Sequence, residues 1–180
     1  MTIMTLWQPI LAATVVVFIA GSVIWMAMPW HKTDWSKTAD EEAVRAALKS
    51  TEPGMYTVPN CDPANYKDPD VQQKYKDGPQ AFITVVPSGL PQMGGKLVMM
   101  FLYNLFVAVL CAYFVSRTLP PGSDYLAVFR IAGTVAFIAY GVGYVQESIW
   151  FGRSWSATMK TFLDALIYGV LTGGVFGWLS

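Results

Sequence analysis

Four long apolar stretches divide the chain, and one polar stretch of different texture lies between the first and the second. About 20 apolar residues rising 1.5 Å each cross a ~30 Å hydrocarbon layer. Residues 8–29, 97–117, 125–150 and 160–179 each meet that length and are predicted to be transmembrane helices. The first carries no charged side chain. The second is bounded by Lys96 and Arg117, the third contains Arg130 and Glu147, and the fourth holds Lys160 and Asp164 near its start. Residues 1–7 have no Lys or Arg, so the first stretch reads as a retained helix, because a cleaved leader opens with a basic segment. Tryptophans fall where the hydropathy changes: Trp7 at one end of the first span, Trp25, Trp30 and Trp35 at the other, Trp150 and Trp155 around the third turn, and Trp178 at the close. Amphipathic rings collect at the headgroup layer in this way.

Residues 30–96 read as a separate extramembrane domain. Thr38-Ala39-Asp40-Glu41 has the form of a capping box and predicts a helix over Ala39–Ser50, with Ala43, Val44, Ala47 and Leu48 as a narrow apolar stripe. Pro53-Gly54 stops it. A short strand follows at Met55–Val58, then turn residues at Pro59–Pro63. Asp68-Pro69 then predicts a short helix to Lys76, and Gln80–Val86 a second strand. Ser88–Gly95 links into the second span. The expected class is therefore an all-α membrane protein, four transmembrane helices with a small α+β extramembrane domain between helices 1 and 2. That domain holds few large apolar residues, so it is expected to lean on the membrane surface, the helix ends or another protein.

Composition agrees with this pattern. Of 180 residues, 54% are hydrophobic and only 13% charged, against about 25% in ordinary soluble domains, and the mean hydropathy is +0.40. The formal net charge is zero, which offers no basic face to nucleic acid. Cys61 sits in the polar loop and Cys111 inside a span, so no disulfide is expected. The chain holds no zinc, hydrolase or phosphate-loop motif, and no general base sits on any span, so an enzyme is not expected.

Four patterns are candidates for function. Ala165, Gly169, Gly173 and Gly177 recur every four residues on one face of the last span, with Ala139 and Gly143 as the expected facing groove. Small residues let helix backbones approach where no hydrophobic drive exists, and the partner helix is either internal or another protein's. Glu147, Arg153, Lys160 and Asp164 are expected to gather at one interface, either as a charge-paired hairpin or as an ion or proton site. Arg130 is expected to reach back to the headgroups, and Asn104 to make an interhelical hydrogen bond. His31, the only histidine, could offer an axial nitrogen to a haem or chlorin, although nothing in the sequence requires a cofactor.

Several patches belong together: Trp25-Met26-Ala27-Met28-Pro29-Trp30-His31, Pro53-Gly54-Met55-Tyr56-Thr57-Val58-Pro59, Gly78-Pro79-Gln80-Ala81-Phe82, and Trp150-Phe151 ahead of a Gly-rich last span. The layout resembles an uncharacterised family of small bacterial membrane proteins over nearly the whole chain. Members of that family often open with basic residues. The resemblance therefore implies a bacterial inner membrane, an internal N-terminus and a periplasmic large loop, although this chain lacks those opening residues. A count of Lys and Arg alone would place the loop on the opposite side, but that rule loses force for loops beyond about 60 residues. The resemblance implies no activity.

The function expected from these readings is that of an accessory or structural subunit of a larger membrane complex, in contact with lipid and other integral subunits. The alternative is a small homo-oligomeric transporter or lipid-handling protein.

Overall fold

The computed structural model describes Thr2–Ser180. Four helical spans are long and apolar enough to cross a membrane: Ile3–Ala27, Met93–Thr118, Tyr125–Trp150 and Trp155–Leu179. The first is a 3-10 turn, Ile3–Leu6, continuing into α1, Trp7–Ala27. The extramembrane elements are α2 (Glu41–Leu48), β1 (Gly54–Val58), α3 (Pro69–Asp77) and β2 (Ala81–Val85). The second span is α4, Met93–Thr118. The third is α5 (Tyr125–Phe137), a π-helical segment (Ile138–Val142) and α6 (Tyr144–Trp150). The fourth is α7, Trp155–Leu179. The chain is a multi-pass membrane protein of the class expected.

Burial along the spans recurs every three to four residues. In α1 the buried positions are Pro9, Ile10, Ala13, Thr14, Val17, Gly21 and Ile24. The opposite face is just as apolar yet open: Leu11, Val15, Ile19 and Val23 are each about half exposed. A helix in water would carry polar groups there, so that face is built to meet lipid. α1 packs on α4 and α7, and α5 packs on α4 and α7, so the four spans close into a ring. The contact positions are often small, including Ala13, Ala108, Ala112, Ala132, Ala136 and Ala165.

The last span starts at Trp155, earlier than sequence suggests, because Ser154 caps it by accepting a hydrogen bond from the Ala157 N–H. The turn before it needs Gly152, whose φ is +70°. The π segment has no counterpart in the hydropathy pattern.

The extramembrane unit, Ser36–Pro91, is a separate compact body. Asp40, not Thr38, caps α2 through the Ala43 N–H, so the helix starts two positions later than the expected box, and Asp68 caps α3 through the Asp70 N–H. β1 and β2 form a two-stranded antiparallel ribbon with Tyr56 opposite Ile83. Tyr75 Oη donates to the Pro59 carbonyl at 3.3 Å, and the Tyr66 and Tyr75 rings meet edge to face. No residue of this unit is buried.

Candidate functional site

The site is built where the first span stops. Pro29 cannot continue a helix, and Met28 ahead of it is extended, with ψ 143°. The chain then makes one 3-10 turn, Trp30–Thr33. Such a turn has three residues per revolution, so positions three apart eclipse. That places the side chains of His31 and Asp34 together: His31 Nδ1 lies 2.7 Å from Asp34 Oδ2. On α7, Lys160 and Asp164 are one turn apart and share a face. Both reach the same turn. His31 Nε2 lies 2.8 Å from Asp164 Oδ2, and Lys160 Nζ donates to Asp34 Oδ1 at 2.5 Å and to Thr33 Oγ1 at 2.7 Å.

This four-residue chain, Lys160–Asp34–His31–Asp164, is almost dry. Side-chain exposure is 5% for His31, 6% for Asp34 and 4% for Asp164, and only Lys160, at 19%, touches solvent appreciably. The Trp25 indole stacks flat on the imidazole, with centroids 4.0 Å apart and planes 4° from parallel, and Trp30 meets it edge-on. Burial pushes the Asp34 carboxyl upward. Hydrogen bonds from Lys160 and His31, and their charges, outweigh that push and hold it below its ordinary value of 3.8. Asp164 Oδ1 makes no hydrogen bond. The Trp30 indole N–H, which lies near that carboxylate, makes none of ordinary geometry either.

The structure redistributes the expected charge cluster. Lys160 and Asp164 join the site but pair with the turn after α1. Arg153 donates to Thr161 Oγ1 at 3.1 Å and lies over the Tyr144 ring at 4.9 Å. Glu147 is exposed and makes no ion pair among the described residues, so it is not part of the cluster. Lys160 and Asp164 find their partners on the turn after α1, which leaves neither for Glu147.

His31 is not placed to ligate a haem or chlorin. An axial bond needs a free imidazole lone pair, and both ring nitrogens already face carboxylate oxygens. No group of three or more His, Cys, Asp or Glu among the described residues is arranged to hold a metal. Although three such residues meet here, the two carboxylates lie on opposite edges of the ring.

The small-residue stripe turns inward. A Cβ on Gly169, Gly173 or Gly177 would come within 2.9, 2.7 and 2.7 Å of Gly133 O, Phe129 O and Tyr125 Cδ2, and one on Gly141 within 2.8 Å of the Ala165 side chain. The facing groove is thus Tyr125, Phe129, Gly133 and Gly141. Gly143 is exposed with nothing near it, and Ala139 instead gives its carbonyl to Tyr103 Oη at 2.9 Å. The π segment offsets the register beyond residue 138, which is why the groove extrapolated from sequence spacing fell on the wrong positions. It also turns Tyr140 inward, where its hydroxyl donates to Asn104 Oδ1 at 3.2 Å.

Outside the site, α5 and α7 leave a lipid-facing groove of about 270 Å³ over the Gly133–Gly169 contact, walled by Phe129, Phe137, Leu166 and Val170. Arg130 lines it without an ion pair among the described residues.

Sequence reasoning missed Asp34 entirely. The usable signal was Pro29 followed by His31 and Asp34 at 3-10 spacing. Comparison with known proteins gives no match to a family model, a characterised protein or a solved structure.

Proposed function

We propose that this chain is an accessory or structural subunit of a larger membrane protein complex, holding its place through its spans and presenting residues 36–91 to a partner. The observation that carries this reading is the lack of any buried residue in that unit. A two-stranded ribbon with no core is marginal in water. The unit also leaves Met55 79%, Phe82 55%, Val86 68% and Leu90 94% exposed. Such a surface gains most when another protein covers it. In this reading the subunit has no catalysis of its own, and it works in a bacterial cytoplasmic membrane with the large loop on the periplasmic face.

The test is gentle extraction from the native membrane, followed by native electrophoresis and mass spectrometry. The expected result is a band several times heavier than 19.9 kDa with fixed partners. Release of those partners by Met55→Ser plus Leu90→Ser, with the spans still folded, would assign the contact to residues 36–91. A monodisperse, active protein at the mass of the chain or a small multiple of it overturns the proposal.

A second reading, as a small lipid-handling protein, is favoured by one observation. The groove beside Arg130 joins an apolar trough to an unpaired guanidinium, which suits an acyl chain and an anionic headgroup. Co-purifying anionic lipid that is lost in Arg130→Gln would support it.

A further inference from the structure

Both nitrogens of the only histidine face carboxylate oxygens, at 2.7 and 2.8 Å. Neutral imidazole has one N–H and one lone pair. Two hydrogen bonds to two ionised carboxylates therefore need a proton on each nitrogen. The charges then balance pairwise, with Lys160 on Asp34 and the doubly protonated ring on Asp164. Apart from the ring, Asp164 meets only the nearby Trp30 indole N–H, which makes no hydrogen bond of ordinary geometry, and its residue is 3% exposed.

We propose that His31 is a proton-binding site whose occupancy latches the turn after α1 to the start of α7. Release of the proton to water leaves a neutral ring with a single N–H. One of the two contacts then sets a lone pair against a carboxylate, and Asp164 becomes a buried charge without its cationic partner. Removing one partner of such a pair is strongly unfavourable, so the contact opens when the proton leaves.

The groups that face the ring are few. Asp34 stands on its own turn, while Lys160, Asp164 and, one turn deeper, Tyr168 stand on α7. Tyr144 of the third span lies near Tyr168. Arg153, in the turn before α7, is held by Thr161 and the Tyr144 ring. Trp25 contributes an uncharged flat face. Among these only Lys160 and Arg153 are cations; Lys160 is held by Asp34 and Thr33, and Arg153 by Thr161 and the Tyr144 ring.

A single histidine makes the test direct. The full-length protein, labelled with ¹⁵N-histidine and held in lipid nanodiscs, gives one imidazole spectrum. The expected spectrum at neutral pH shows both nitrogens protonated. On raising the pH the second proton leaves, and thermal stability falls through the same pH; His31→Gln abolishes that fall. In Asp164→Asn the second proton leaves at a lower pH, because the anion facing Nε2 is gone. A neutral ring in one tautomer at neutral pH overturns the proposal, as does an identical titration in Asp164→Asn. If Asp164→Asn does not fold, the wild-type spectrum still decides, and Asp34→Asn supplies the comparison from outside the spans.

Discussion

The transmembrane bundle and the extramembrane unit are close to opposites in how they are held. The bundle has a continuous interior of Ala, Val and Ile side chains closed by larger ones such as Leu6 and Phe176, and its glycine contacts tolerate almost no added volume. The extramembrane unit is held by caps, one ribbon and tyrosine hydrogen bonds, with nothing enclosed. Helices in lipid gain from close backbone approach because lipid supplies no hydrophobic drive. A small unit in water has that drive but too few apolar residues here to use it. One chain thus holds a part with a packed interior and a part without one.

The sharpest way to break this contrast is to overfill the bundle. Gly173→Leu places a side chain where a Cβ alone would lie 2.7 Å from the Phe129 carbonyl. Loss of the monodisperse folded peak in size-exclusion chromatography is the expected outcome; a normal peak with unchanged melting would show that the bundle is looser than described. The next largest effect belongs to Asp164→Ala, which strands His31 against Asp34 alone. Stability should fall by about 3–5 kcal/mol, read by thermal unfolding in detergent.

A third test uses protease. Cleavage within residues 36–91 should run ahead of any cleavage in the spans, since that unit encloses nothing. Equal resistance in both regions of the isolated chain would erase the distinction. Acid is a milder probe. The folded Asp34 carboxyl lies below its unfolded value of 3.8, so its contribution is fully present above that value and is lost as pH falls through the folded value. Melting temperature should therefore lose a component below pH 4 in the wild type that Asp34→Asn never shows. Smallest of all, Met55→Ser, at a side chain 79% exposed, should shift the stability of the isolated chain by no more than about 0.5 kcal/mol.

The four spans were legible because length and apolarity are local properties, and so were α3 and both strands, where Asp68-Pro69 and the alternation around Ile83 mark them directly. The site was only half legible. Lys160, Asp164 and His31 each stood out as charge or potential charge near apolar sequence, but which charges meet depends on the ring of spans, with α1 beside α7. No local pattern reports that adjacency. Asp34 reads as one more acid in a polar loop, and only the turn after Pro29 sets it at the edge of the imidazole. The π segment has no local signal either, since Gly141 alone does not announce it.

The contact between His31 and Asp164 also spans almost the whole order of synthesis, with 133 residues between its ends. At translation rates of about 5–20 residues per second, the first helix waits on the order of ten seconds before its partner exists. During that interval Asp34 lacks Lys160 as well. Nascent chains that end before the last span thus hold the local His31–Asp34 contact beside the bilayer with neither Lys160 nor Asp164 to complete it.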